Sequence, residues 1–235
     1  MKRLKKREPL KSPWLWGGVL AAAVLFFAGV GIFVPSAGES AETPEPQPEA
    51  GVDLGSGLSV MQVGRYSGLY VEDGSDEIVQ DVLAVTVENT GEQTLRLAHI
   101  TVTDTAGTQY AFELTTLPPG EKLIALELSR APSLPDLSIA DIRLDEVILF
   151  DQPPTLQEDV LSFVCTQSNI GVKNISEERI AGGHVFYKQD SGSALVGGIT
   201  FMVAIPELRP GEEVSLYAGH YYEGASRLMF ATCEK

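Results

Sequence analysis

One pattern occurs twice in this 235-residue chain and limits its fold more than any other feature. Val87-Glu88-Asn89-Thr90-Gly91-Glu92 is followed downstream by Leu117-Pro118-Pro119-Gly120-Glu121. Val172-Lys173-Asn174-Ile175-Ser176-Glu177 is likewise followed by Leu208-Arg209-Pro210-Gly211-Glu212. The intervals from Asn to Pro are 30 and 36 residues, room for two or three short strands in each copy. An Asn side chain bonds nearby backbone and tolerates the left-handed conformation. Pro followed by Gly suits the two central positions of a type II turn. Asn89, Pro119, Gly120, Asn174, Pro210 and Gly211 are therefore expected to be architectural rather than catalytic.

The intervening segments have the period of strands. Leu83, Val85 and Val87 alternate with their neighbours, as do Tyr110, Phe112 and Leu114, and again Ile124, Leu126 and Leu128. Alternation of this kind buries one face and wets the other. Turn formers recur at Thr90-Gly91, Thr105-Ala106-Gly107 and Pro119-Gly120. No segment after residue 57 sustains a helical period, so the expectation is all-β.

The pattern of strand, Asn, Gly or Ser, then Leu-x-Pro-Gly-Glu and strand resembles bacterial extracytoplasmic immunoglobulin-like modules of the CARDB and FxLYD kind. The resemblance covers about residues 75–130 and 160–230. The second copy lacks a literal Phe-x-Leu-Tyr-Asp signature, Leu216-Tyr217-Ala218 being a distant echo. The resemblance implies two tandem β-sandwiches with non-catalytic adhesion, presentation or assembly roles. The modules are expected at 58–150 and 155–235, joined at Asp151-Gln152-Pro153-Pro154, where paired prolines interrupt strand pairing. Each is the size of a typical sandwich.

Upstream lies a different kind of sequence. Residues 15–34, LWGGVLAAAVLFFAGVGIFV, contain no charge over twenty positions. At about 1.5 Å per residue a helix of that length matches a bilayer core. Trp14 and Trp16 stand where an interfacial belt is expected. Residues 1–14 carry six basic side chains and one acid, so the positive-inside rule places the N-terminus in the cytoplasm and the rest outside. A cleaved signal peptide has a similar start but a shorter apolar core. Residues 35–57 form a Pro- and Glu-rich linker, with Pro44, Pro46 and Pro48 favouring extended chain.

Charge narrows the function classes. The chain has net charge −15, and the N-terminal +5 leaves −20 for the remainder, which repels phosphate backbones. Nucleic acid is not an expected partner. The acidic turn Glu72-Asp73-Gly74-Ser75-Asp76-Glu77 offers hard oxygen ligands, making Asp73, Asp76 and Glu77 candidates for calcium or another metal beside the plainer reading of a solvated turn. His99, His184 and His220 lack ligand spacing, although His184 and His220 would form part of a metal site if the fold brought them together with a carboxylate. No Cys-x-x-Cys or Gly-x-Ser-x-Gly motif is present. Cys165 and Cys233 are open to two readings, a disulfide in an oxidising exterior or two separate thiols. Tyr217, Tyr221, Tyr222 and Phe230 gather near the C-terminus as either core or binding surface. Asn174-Ile175-Ser176 fits the glycosylation sequon.

The expectation is a single-pass membrane protein, non-catalytic and without a cofactor. It would present two sandwiches outside the cell to an envelope protein or a cell-wall polymer. The competing reading is a metal-binding sensor or metal-dependent enzyme built on the acidic turn.

Overall fold

The strand period read from the sequence becomes thirteen strands among the described residues. The computed structural model describes residues 51–133 and 137–234. The first part holds β1 (Val52–Gly55), β2 (Leu58–Tyr70), β3 (Glu77–Asn89), β4 (Leu95–Asp104), β5 (Gln109–Leu117), β6 (Lys122–Leu126) and β7 (Ile139–Leu149). There follow β8 (Leu161–Thr166), β9 (Asn169–Asn174), β10 (Gly182–Asp190), β11 (Leu195–Ile205), β12 (Glu213–Tyr217) and β13 (Ser226–Glu234). The protein is all-β in this region. Among the described residues no helix is long and apolar enough to cross a membrane. The segments 1–14 and 15–34, and most of the linker, lie outside them.

These strands form one seven-stranded sheet, ordered β1-β2-β3-β6-β11-β10-β13, and two three-stranded sheets, β5-β4-β7 and β12-β9-β8. The large sheet runs across both sequence repeats. Its two halves meet where β6 pairs in parallel with β11, Leu195 opposite Leu123 and Val196 opposite Ile124. The segment 151–154 contains no strand and links β7 to β8. The two repeats thus share a sheet rather than only a linker, and the described residues belong to one compact unit.

The core follows from the alternation of side chains along a strand. In β3, Leu83, Val85 and Val87 enter one apolar cluster with Leu95, Ile100, Phe112 and Leu114 of the β5-β4-β7 sheet. The intervening Val82 and Ala84 enter a second cluster with Leu161, Ile170, Val172, Val185 and Phe201. β6 divides in the same way, Leu123 and Ala125 to the first cluster and Leu126 to the second. The small sheets therefore cover opposite faces of the large one, β5-β4-β7 toward its β1 end and β12-β9-β8 toward its β13 end. At each end one face is left without a covering sheet.

Candidate functional site

Asn89 and Asn174 occupy equivalent places in the two repeats and make the same set of bonds. Asn89 Nδ2 donates to Gln93 O (2.9 Å) and Leu117 O (2.7 Å), and its Oδ1 accepts from Gly91 N (3.0 Å). Asn174 Nδ2 donates to Glu178 O (2.8 Å) and Leu208 O (3.1 Å), and its Oδ1 accepts from Ser176 N (2.9 Å). Backbone bonds complete each copy: Gly120 N to Asn89 O at 2.7 Å, and Gly211 N to Asn174 O at 2.9 Å. The turns are closed by Glu121 N on Pro118 O and by Glu212 N on Arg209 O, with Gly120 and Gly211 at φ +72° and +76°. Pro119 and Pro210 precede those glycines, the position a type II turn favours for proline. Both Asn side chains are buried and fully engaged. The Asn174 amide is thus held inside the fold and closed to glycosylation in the folded state.

The acidic turn between β2 and β3 sends its carboxylates in three directions. Asp73 and Glu77 both bind the Arg130 guanidinium, which also stands 4.5 Å over the Tyr70 ring. The Ser75 hydroxyl and amide, then Arg130, hold the Asp73 carboxyl down to about 2. Asp76, at φ +52°, turns instead toward the loop between β12 and β13, accepting from Tyr222 Oη (3.0 Å) and lying 2.9 Å from His220 Nδ1. Glu72 points inward and accepts from the amides of Leu126 (2.7 Å), Gly198 (2.8 Å) and Ile199 (3.2 Å). Among the described residues no group of three or more His, Cys, Asp or Glu side chains is placed to hold a metal ion. A guanidinium and a His–Tyr pair already engage these three carboxylates, Asp73 and Glu77 on Arg130 and Asp76 on His220 and Tyr222.

The histidines separate as well. His99 lies between Glu113 (3.2 Å) and Glu146 (3.1 Å) on the outer side of the β5-β4-β7 sheet. His220 stacks on Phe201, with centroids 4.6 Å apart and planes at 18°, on the side of the second core cluster. His184 alternates with the core residue Val185 and so lies on the opposite face of the large sheet. His184 and His220 therefore do not meet. Cys165 and Cys233, on β8 and β13, are not joined by a disulfide in this structure. They belong to different sheets, and Cys165 sits beside the Tyr221 hydroxyl. Tyr221 is core, packed edge-on against Tyr187 at 5.6 Å, whereas Tyr217 is largely exposed.

A buried charge node joins the halves. Lys188 on β10 is fully enclosed, and its Nζ donates to Gly197 O (3.0 Å), Gly198 O (2.9 Å) and Ile199 O. Gly198 thus gives its amide to Glu72 and its carbonyl to Lys188, and Thr115 Oγ1 donates to the same carbonyl at 2.6 Å. A Cβ at Gly198 would stand 1.7 Å from Glu113 O, so only glycine permits this approach of β11 to β5. Burial pushes the Glu72 carboxyl up and the Lys188 ammonium down to about 7, each being partly offset by the other's charge. Nearby, Arg227 lies between Glu121 (Nη1 to Oε1 3.1 Å) and Asp190 (Nε to Oδ2 3.3 Å) in a polar cleft of about 300 Å³. With its charge met on both sides, this arginine is a tie between repeats more than an open anion site.

The uncovered faces of the large sheet differ sharply in chemistry. At the β1 end it carries Gln62, Thr86, Glu88 and Lys122, a polar surface with a Glu88–Lys122 contact of 3.8 Å. At the β13 end the corresponding surface is aromatic. Phe186 and Phe230 are cross-strand partners stacked at 4.1 Å with planes 9° apart, and Phe150 meets Phe230 edge-on at 5.5 Å. His184 flanks Phe186 at 6.2 Å, and Met202, opposite Phe186 on β11, is 56% exposed. Sequence reasoning had picked out Phe230 but not Phe186, Met202 or Phe150. The signal was present in His184-Val185-Phe186-Tyr187, where apolar residues occupy both phases of the alternation. Such a strand is apolar on both faces whether or not both are covered.

No family model matches the sequence, and no curated protein matches it. Among solved structures, the C-terminal globular domain of an oligosaccharyltransferase from Pyrococcus abyssi is similar at 10% identity and a TM-score of 0.18. The match covers 76% of this chain and 46% of that one, so the chain spans less than half of its length.

Proposed function

We propose that this is a single-pass, membrane-anchored extracytoplasmic binding protein. It is non-catalytic and acts as an adapter or accessory component in a bacterial envelope assembly. The observation that carries the reading is the asymmetry of the uncovered sheet faces. One is polar, whereas the other carries the half-buried Phe186, Phe230 and Phe150 and the exposed Met202 beside His184. Aromatic and Met side chains are enriched where protein surfaces associate, and an apolar surface without a cover is the usual mark of a contact site.

The paired Asn and Pro-Gly constellations and the two core clusters support reading the repeats as immunoglobulin-like sandwiches fused through a shared sheet. The charge-free run at 15–34 with its basic flank supports the anchor, and the Pro-rich linker supports a spacer that lifts the folded unit from the lipid. The partner is an envelope protein or a wall polymer. Crosslinking of the full-length protein in native membranes, followed by co-purification and mass spectrometry, tests this. A partner enriched with the wild type and lost with Met202→Glu supports the reading. Enrichment unchanged by that substitution removes the aromatic face from it.

A further inference from the structure

The two small sheets end in edge strands that are protected very differently. β7 exposes Asp141, Arg143, Asp145 and Glu146, and charges on an open edge oppose pairing with another chain. β8, Leu161-Ser162-Phe163-Val164-Cys165-Thr166, has no charged side chain, and its Val164 is 65% exposed. It is the terminal strand of its sheet, bonded only to β9. Beside its first residues a cavity of about 380 Å³ opens among Leu156, Glu158, Leu161, Ser162 and Phe163.

The register shows which backbone groups face outward. Ile175 N donates to Val160 O at 2.9 Å, so residues 160, 162, 164 and 166 direct their backbone groups to β9. Phe163 and Cys165 therefore present N–H and C=O to the open side. An identical strand running antiparallel can satisfy both residues at once. Phe163 then pairs with Cys165 of the second copy, and the reverse, with a two-fold axis through Val164. This register keeps residues of like orientation opposite one another, so both copies hold their buried faces on the same side. It also sets Val164 against Val164 in a non-hydrogen-bonded pair, where Cβ atoms come closest.

We propose that β8 is a self-association edge, through which two copies join their β12-β9-β8 sheets into one six-stranded sheet. A second copy is the fitting occupant because an isologous contact opposes each residue to its own kind, which an uncharged strand tolerates and β7 would not. The net charge of −15 per chain opposes the approach at long range, so association strengthens as salt screens it.

The test uses the full-length chain in mild detergent. Val164→Cys, on a Cys165→Ser and Cys233→Ser background, is compared with Ile78→Cys, whose site is 74% exposed. In a non-hydrogen-bonded pair Cα atoms lie about 4.5 Å apart, within disulfide reach. Covalent dimer forming several-fold faster at 164 than at 78 is expected. Sedimentation should show a dimer that grows with salt and is lost in Val164→Lys, but not in Val164→Thr. Equal crosslinking at both sites, or a dimer indifferent to Val164→Lys, overturns the proposal. So does a disulfide-independent crosslink from 164 in native membranes that captures an extended segment of another protein in place of a second copy.

Discussion

Single residues carry the connections that strand periodicity does not reveal. Asn89 and Asn174 each satisfy two backbone carbonyls and one amide in the interior, so truncation leaves several buried polar groups without partners. Each such group costs about 1–3 kcal/mol. Asn89→Ala and Asn174→Ala are therefore expected to lower unfolding free energy by about 3 kcal/mol each, read from urea midpoints at unchanged slope. Lys188 makes a different prediction, one of pH. Its folded-state value near 7 lies below its ordinary 10.5, so between these limits the folded chain binds fewer protons than the unfolded one. The contribution of this group to stability must then rise with pH from about 7 toward 10.5 and stay level below 7. Denaturant titrations across that range should show the slope in wild type and lose it in Lys188→Met with Glu72→Gln. Nothing near Lys188 in sequence announces this role. Its partners are backbone carbonyls and a carboxylate on a distant turn, and backbone groups have no sequence signature.

Elements were more legible than the contacts between them. The alternation in 83–87, 110–114 and 124–128 identifies strands because half-burial writes itself into every second residue. In β3 it also conceals something. Leu83 and Val85 read as the one buried face, yet Val82 and Ala84 between them are equally part of a core. Whether the aromatic face would be covered was illegible for the same reason: an apolar residue in the second phase of a strand does not say whether a covering sheet will reach it. Leu83→Ala removes a fully buried side chain and should cost about 2–5 kcal/mol, whereas Ile78→Ala, exposed on the same strand, should stay within about 0.5 kcal/mol. Thermal unfolding of the pair measures the contrast.

At the scale of the molecule, the parallel pairing of β6 with β11 decides how the repeats behave. Parallel pairs between segments about seventy positions apart leave no local trace in sequence, which is why the prolines at 153–154 suggested a simple joint. The Glu72–Gly198–Lys188 node, the Thr115 bond and the Arg227 bridge to Glu121 all cross the same seam. Repeats so bonded are expected to melt together. Calorimetry should give one transition, shifted as a whole by Leu83→Ala in one repeat or Val185→Ala in the other. Two separable transitions, each answering to only one substitution, would contradict this coupling.

The order of the large sheet has a mechanical consequence. β1 and β13, its two outermost strands, are separated by six strand spacings, roughly 29 Å across the hydrogen bonds. A tension applied to the chain before β1 and after β13 acts partly across the ladder rather than along it. Load in that direction peels strands from the rim one bond at a time, instead of shearing a whole register at once. The four residues of β1 would yield first, and the seam at β6 and β11, with three strands outside it on one side and two on the other and held by its buried charges, would yield late. Under such a pull the protein would lengthen gradually at its margin while its centre held.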